Sequence, residues 1–171
     1  MPQDTDLHWV TFYTKPRTEK KVDALLQRAG FESYLPIQRC LHKWHDRKKW
    51  VETPLFNSYL FVHIPFSQIY NVLEVPGVVR YVRFGEEIAE LTEKELDAIR
   101  RLIASEKELF VQNNSLLKKG ARVRLISGDV FDGLEGELVS NEKKGNFAVR
   151  ITCLSSVITV DVERELMEFI E

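Results

Sequence analysis

The sequence predicts an α+β chain: a sheet layered with helices, followed by a small strand-rich second domain. Three observations predict it. Strand-like alternation and helix-like spacing of apolar residues take turns through the first hundred residues; the periodicity then fades through Gln112-Asn113-Asn114-Ser115; beyond that point short apolar runs alternate with glycines and charges. The 171 residues suffice for one or two domains with buried cores. Apolar residues make up 44% and charged residues 29%, ordinary globular usage that excludes a disordered or fibrous chain.

Residues 9–14 alternate as a short strand does, with Val10 and Phe12 on one face. Pro16 suits a first helical turn, and Val22, Leu25, Leu26 and Ala29 follow at i, i+3, i+4 and i+7 until Gly30 supplies a stop. Residues 31–38 read as a second strand. The basic stretch 39–49 has no sustained period and reads as a hairpin tip or loop. Residues 58–64 form a strong strand with Leu60, Val62 and Ile64 on one face and Tyr59, Phe61 and His63 on the other. A short helix fits 67–74, and Val75-Pro76-Gly77 breaks it before a strand over 78–84. Thr92 opens a third helix: Glu95 completes a capping box, Leu91 staples onto Leu96, and Leu96, Ile99 and Ile103 form its stripe beside Leu102.

The order β, α, β, β, α, β, α resembles a ferredoxin-like sheet with helices packed on one face. The opposite face, carrying Tyr59 and Phe61, then needs an account: a second small core under loops, or a docking surface for another protein. Residues 105–117 read as a linker. Strand-like runs at 122–126, 137–140, 147–152 and 157–162 have the spacing of a small barrel.

Net charge is only −2, but it is unevenly distributed. Residues 15–50 hold ten basic side chains against four acids, and residues 86–109 hold eight acids against four bases. The basic segment includes Lys15, Arg17, Lys20, Lys21, Arg39, Lys43, Arg47, Lys48 and Lys49, interleaved with His42, Trp44, His45 and Trp50, a mixture suited to phosphates and unpaired bases. An ordinary solvated face is the other reading. No apolar run approaches the ~20 residues that span a bilayer, and the polar, acidic start is unlike a signal segment, so a cytoplasmic chain without membrane contact is expected. Cys40 and Cys153 stand too far apart and are too few for a disulfide framework. Cys40, His42 and His45 have no fourth ligand nearby, so no metal is expected; a metal-dependent enzyme built on them is the remote alternative. No nucleophile elbow, Walker loop, zincin helix or dinucleotide fingerprint occurs, so neither catalysis nor a cofactor is expected.

The run Gly120-Ala121-Arg122-Val123-Arg124-Leu125, continued by Gly128, Phe131, Gly133 and Gly136, resembles the KOW motif of transcription and ribosomal proteins, with Val123, Leu125 and Phe131 filling an SH3-like barrel interior. Leu55-Phe56-Asn57-Ser58-Tyr59-Leu60-Phe61-Val62, followed by Val75-Pro76-Gly77-Val78-Val79-Arg80-Tyr81-Val82-Arg83-Phe84-Gly85, resembles the two signature segments of the NusG N-terminal (NGN) domain. The basic insert from Trp44 to Glu52 looks most like the specialised UpxY group of NusG paralogues, with RfaH more distant. The resemblance implies an NGN domain over 7–106, a linker over 107–117 and a KOW barrel over 118–171.

It further implies a transcription elongation and antitermination factor that grips the clamp of RNA polymerase and suppresses pausing or termination, in capsular or surface-polysaccharide operons by the UpxY likeness. On that mapping Tyr13, Phe56, Tyr59 and Phe61, with Pro76 and Gly77 nearby, face polymerase, and Lys15, Arg17, Lys20 and Lys21 approach the non-template DNA strand. Lys43, Trp44, His45, Arg47, Lys48 and Lys49 are further nucleic-acid candidates. The KOW partner is left open between a small-subunit ribosomal protein and Rho, and a monomer is expected. A KOW-type RNA-binding or ribosome-associated module that never touches polymerase is the rival reading. Two departures from the family pattern stand out. Asn57-Ser58 replaces the Pro-Gly that commonly precedes the tyrosine, loosening that turn, and Gly128-Asp129-Val130-Phe131 is one residue longer than Gly-Pro-Phe, so a bulge is expected.

Overall fold

The structure, a computed structural model, describes residues 4–141 and 144–171. Its chain divides into two compact units, one of residues up to 37 with 54–92, the other of residues 38–53 with 93–171.

In the first unit, β1 (His8–Thr14), β2 (Glu32–Tyr34), β5 (Tyr59–Ile64) and β6 (Val78–Tyr81) form an antiparallel sheet in the order β2-β5-β1-β6. The connection between β2 and β5 holds a separate two-stranded sheet, β3 (Ile37–Lys43) and β4 (Lys48–Pro54). Leaving that insert aside, the spatial order of the four sheet strands is fourth, first, third, second, the ferredoxin-like arrangement. Two short strands, β7 (Arg83–Phe84) and β8 (Glu87–Ile88), pair with each other, and β9 (Glu90–Leu91) adds to β1. The strand expected over 78–84 is split between β6 and β7: Val82 still donates its N–H to Thr11 O at 2.9 Å, in register with the Phe12–Tyr81 pair, but its carbonyl accepts from Ala89 N–H, at 2.9 Å.

Helices α1 (Glu19–Arg28) and α2 (Ile69–Leu73) supply the core of this unit. The alternation places Val10, Phe12, Leu60, Val62 and Ile64 on one sheet face, and they pack in one cluster with Val22 and Leu26 of α1 and Ile69 and Val72 of α2. Helix α1 starts three residues later than Pro16 suggested, because Arg17 sits at φ +64° and turns the chain first.

Pro76-Gly77 is a packing device. Gly77 has φ +96°, and a Cβ there would lie 2.5 Å from Val22 Cγ2, while its carbonyl accepts the Lys15 N–H at 2.9 Å. Gly77→Ala therefore combines backbone strain with a collision in the α1 core, and a loss of about 2 kcal/mol is expected in chemical denaturation. An unchanged midpoint would mean that the turn relaxes freely.

The opposite sheet face is also an interior. Trp9 is 5% exposed, Thr11 0% and Phe61 0%. Trp9 stacks on His63 at 4.5 Å and meets Tyr34 edge-on at 6.4 Å, and His63 shares a 2.8 Å hydrogen bond with Glu32. The broad exposed aromatic face expected from Tyr59 and Phe61 is thus corrected: the alternation assigned the residues to their face, but period-two patterning says nothing about what covers that face.

The second unit contains α3 (Glu93–Ala104) and a six-stranded antiparallel sheet of β10 (Phe110–Asn113), β11 (Ala121–Leu125), β12 (Glu135–Asn141), β13 (Lys144–Ile151), β14 (Ser156–Val162) and β15 (Met167–Phe169), ordered β10-β14-β13-β12-β11-β15. Part of the stretch expected as a linker is β10, whose Phe110, Val111, Gln112 and Asn113 pair with Thr159, Ile158, Val157 and Ser156. Val123, Leu125, Phe131, Phe147, Ile151 and Ile158 are buried here.

Ion pairs link α3 and the strands within this unit. Glu135 pairs with Arg124 at 2.8 Å, Lys94 at 3.0 Å and Arg122 at 3.5 Å. Arg101 of α3 donates to the carbonyls of Val130, at 2.7 Å, and Asp132, and the Thr152 N–H donates to Glu95 at 2.8 Å. Glu137 holds Arg150 through two contacts, 2.6 and 3.1 Å, and accepts the Gly120 N–H at 3.0 Å. Burial works against the charged Glu137, yet Arg150 and Gly120 outweigh it and its carboxyl lies below the ordinary range.

The hydrogen bond from Arg124, followed by that from Lys94, lowers Glu135 from 4.5 to about 2 against an opposing effect of burial. A depressed carboxylate contributes stability above its unfolded pKa and loses it as pH falls, here between 4.5 and about 2. Thermal melts of Glu135→Gln should accordingly be flatter than those of the parent chain across that window; parallel curves would show that Glu135 does not set the acid sensitivity.

Candidate functional site

Three strands bring together residues far apart in sequence. Tyr13 of β1 faces Tyr59 of β5 on one side and Arg80 of β6 on the other. The tyrosine rings meet edge-on at 5.4 Å, and the Arg80 guanidinium lies 5.2 Å from the Tyr13 ring. Both tyrosines are partly exposed and Arg80 is exposed. The row offers two large, stiff rings, which bind with little loss of rotamer freedom, and one cation beside them.

Phe56 and Phe61 do not belong to that surface. They are 4% and 0% exposed and pack edge-on to each other at 6.3 Å. Pro76 is exposed and Gly77 partly so. Arg80 is not among the residues the sequence singles out, although it lies inside the second signature-like segment; the cue is a charged residue within a Val-Val-Arg-Tyr strand.

The chain leaving β1 is tied to the strands on both sides. Thr14 N–H donates to Ser58 O at 2.8 Å on the β5 side and Lys15 N–H to Gly77 O at 2.9 Å on the β6 side, while Thr18 Oγ1 closes the turn on Lys15 O at 2.7 Å. Lys15, Arg17, Lys20 and Lys21 are exposed along this turn and the start of α1. Among them one acid points inward: Glu19, 7% exposed, accepts the Ser58 N–H at 2.8 Å. Ser58 itself has φ +66°, a conformation that favours glycine. The turn expected to be loose is thus held by a buried carboxylate reaching from the cationic helix to the residue before Tyr59. No pattern in the sequence marks that bond, since a Glu among lysines reads as a solvated face.

The β3–β4 hairpin closes around His45 and Asp46 through a 2.8 Å bond from Trp44 N–H to Arg47 O. Its tip was legible as a tip; its flanks are strands. Lys43, His45, Lys48 and Lys49 are exposed, Trp44 is 56% and Trp50 54% exposed, and Arg47 and Arg39 lie over those indoles at 5.3 and 5.1 Å.

In the C-terminal sheet Val123, Leu125 and Phe131 point inward, each no more than 2% exposed. Gly128 and Gly133 have φ +68° and +77°, whereas Gly136 is required by close approach: a Cβ there would lie 2.5 Å from Ala148 O, and one on Gly120 would strike Leu138 O. The longer segment from Gly128 to Phe131 is an Asx turn in a loop and not a strand bulge, with Asp129 accepting from the Phe131 N–H at 2.8 Å and from Ser127. Those two bonds, Ser127 first, hold the Asp129 carboxyl below its ordinary value. Cys40 is partly exposed and His42 and His45 are exposed; among the described residues no three His, Cys, Asp or Glu are grouped to hold a metal ion. No helix among them is long and apolar enough to cross a membrane.

A family model described as "Transcription termination factor nusG" matches residues 7–100. A solved structure described as "Domain interaction in Thermotoga maritima NusG" is 22% identical, covering 97% of this chain and 98% of its own with a TM-score of 0.54, a likeness of fold. Another, "Crystal Structure of MjSpt4:Spt5 complex conformation A", is 14% identical over 95% of this chain and 97% of its own, at a TM-score of 0.33. No curated protein matches the sequence.

Proposed function

The chain belongs to the NusG family, whose members are transcription factors and not enzymes, and on that premise we propose that it docks on RNA polymerase through the Arg80–Tyr13–Tyr59 row. The row is the observation that carries the reading: two partly exposed tyrosines and an exposed arginine side by side on the sheet face that buries Trp9, Thr11 and Phe61, near the exposed cations of the α1 turn. Phe56 and Phe61 act beneath it as support, and Pro76-Gly77 holds the turn that sets the row against α1. Such anchors concentrate affinity in a few aromatic and arginine side chains.

The partner is the clamp region of polymerase. Lys15, Arg17, Lys20 and Lys21 then meet the phosphates of the non-template strand, contributing salt-sensitive affinity without reading sequence, and the hairpin cations Lys43, Arg47, Lys48 and Lys49, with Trp44 and His45, add to it. Clasping both sides of the cleft binds the elongating state better than the opened, paused state, which suppresses pausing and termination by differential affinity. The likeness of the basic insert to the UpxY group points to selected surface-polysaccharide operons as the place of action. The C-terminal sheet serves as a KOW module for a small-subunit ribosomal protein or Rho. The chain works as a monomer in the cytoplasm.

Affinity capture of the tagged chain from cells tests this reading. Recovery of polymerase subunits is the expected outcome. Ribosomal RNA and ribosomal proteins without polymerase would overturn it in favour of an RNA-binding or ribosome-associated module.

A further inference from the structure

We infer that the β3–β4 hairpin carries two preformed stations for stacking unpaired bases, Trp44 with Arg47 and Trp50 with Arg39, and that its ligand is a single-stranded nucleic acid. This deepens the nucleic-acid part of the reading above and rests on it, while standing apart from polymerase docking.

An indole more than half exposed has forgone burial, and this hairpin presents two of them, at 56% and 54%, whereas the third tryptophan, Trp9, is 5% exposed. Each exposed ring has a guanidinium beside it, Arg47 at 5.3 Å and Arg39 at 5.1 Å. A cation on one side of an indole steadies the ring and leaves its other side for a second flat, electron-rich partner. The same guanidinium keeps donors free to reach a phosphate attached to that partner. Base and phosphate are thus met by one residue pair, twice over.

The surroundings fit the same ligand. Every residue from Leu41 to Trp50 is exposed, and β3 and β4 form a two-stranded sheet of their own, a ribbon. Between positions 37 and 54 five Lys and Arg side chains face two acids, so the ribbon is complementary to a polyanion. Arg47 stands at the hairpin tip and Trp50 three residues further on within β4, an odd step that sends strand side chains to opposite faces, so each station takes a base of its own. A duplex hides its base faces, and an anionic lipid surface offers charge without rings; neither uses the indoles in this way.

Tryptophan fluorescence of the full chain supplies the test. An oligothymidylate and an oligouridylate of about 12 nucleotides, a duplex of similar length and anionic phosphatidylserine vesicles are titrated in turn at several salt concentrations. A single strand should quench the two exposed indoles and saturate, with the tighter of the two homopolymers identifying DNA or RNA as the source. Trp44→Leu and Trp50→Leu should each lower single-strand affinity about tenfold with the salt slope unchanged. Lys48→Ala combined with Lys49→Ala should instead flatten the slope and retain the quench. Trp44→Phe, which keeps an aromatic face, should recover most of the lost affinity. Equal binding of duplex or vesicles, absence of quenching, or tryptophan variants that bind like the parent would each overturn the inference. Polymerase capture of the same variants keeps the two readings separable: its failure with the parent chain strikes the proposed docking alone, and its persistence in variants that have lost single-strand binding shows that the stations act independently of that docking.

Discussion

Tyr13→Ala combined with Tyr59→Ala is expected to abolish recovery of RNA polymerase while the chain still melts cooperatively, within a few degrees of the parent. Both rings are partly exposed, so their truncation removes contact area from the proposed interface and leaves little cavity behind. Phe61→Ala should behave in the opposite way. Its ring is 0% exposed and packs edge-on with Phe56 at 6.3 Å, so truncation opens a void costing about 3 to 5 kcal/mol, visible as a lowered denaturation midpoint. Two aromatic residues two positions apart on one strand thus separate binding from stability. Polymerase recovered undiminished with both tyrosines removed would place the docking surface elsewhere.

The second large effect concerns Glu19. Its carboxylate accepts the Ser58 N–H at 2.8 Å, and Ser58 stands at φ +66° immediately before Tyr59. Glu19→Ala leaves a buried N–H without its acceptor and should cost about 2 kcal/mol. Glu19→Gln retains a side-chain oxygen and should cost less. Ser58→Gly relieves the left-handed strain and should return about 1 kcal/mol in either background. Denaturation midpoints of the four variants check the scheme, with polymerase capture following the position of Tyr59. Equal losses in Glu19→Ala and Glu19→Gln would show that charge, rather than an acceptor at that point, holds the turn.

Much of this fold can be read from residue order. Period two along β1 and β5 assigned Val10, Phe12, Leu60, Val62 and Ile64 to the helix-covered face, because each strand must bury one complete set of alternate side chains. Gly30 ended α1 and Pro76-Gly77 ended the turn before β6, since few other residues adopt those backbone angles. What escaped depends on partners distant in sequence. The burial of Phe56 and Phe61 is decided by whatever lies over the second face. Arg80 became part of the site through the register of β6 against β1, which no local pattern encodes. The strand β10 passed for a linker because Gln112 and Asn113 are exposed and its ladder to β14 is made by the backbone, with little apolar alternation to announce it. The cationic hairpin was legible as charge and aromatics, but the seating of Arg39 and Arg47 over particular indoles was not.

The Arg80–Tyr13–Tyr59 row has a temporal consequence. Its members enter the chain at positions 13, 59 and 80 and become neighbours only when three strands have paired. During translation the ribosome must release more than eighty residues before this surface exists at all, and under the proposed docking a truncated or misregistered product would present nothing for polymerase to recognise. Engagement of that kind would double as an inspection, admitting only chains whose central sheet has assembled.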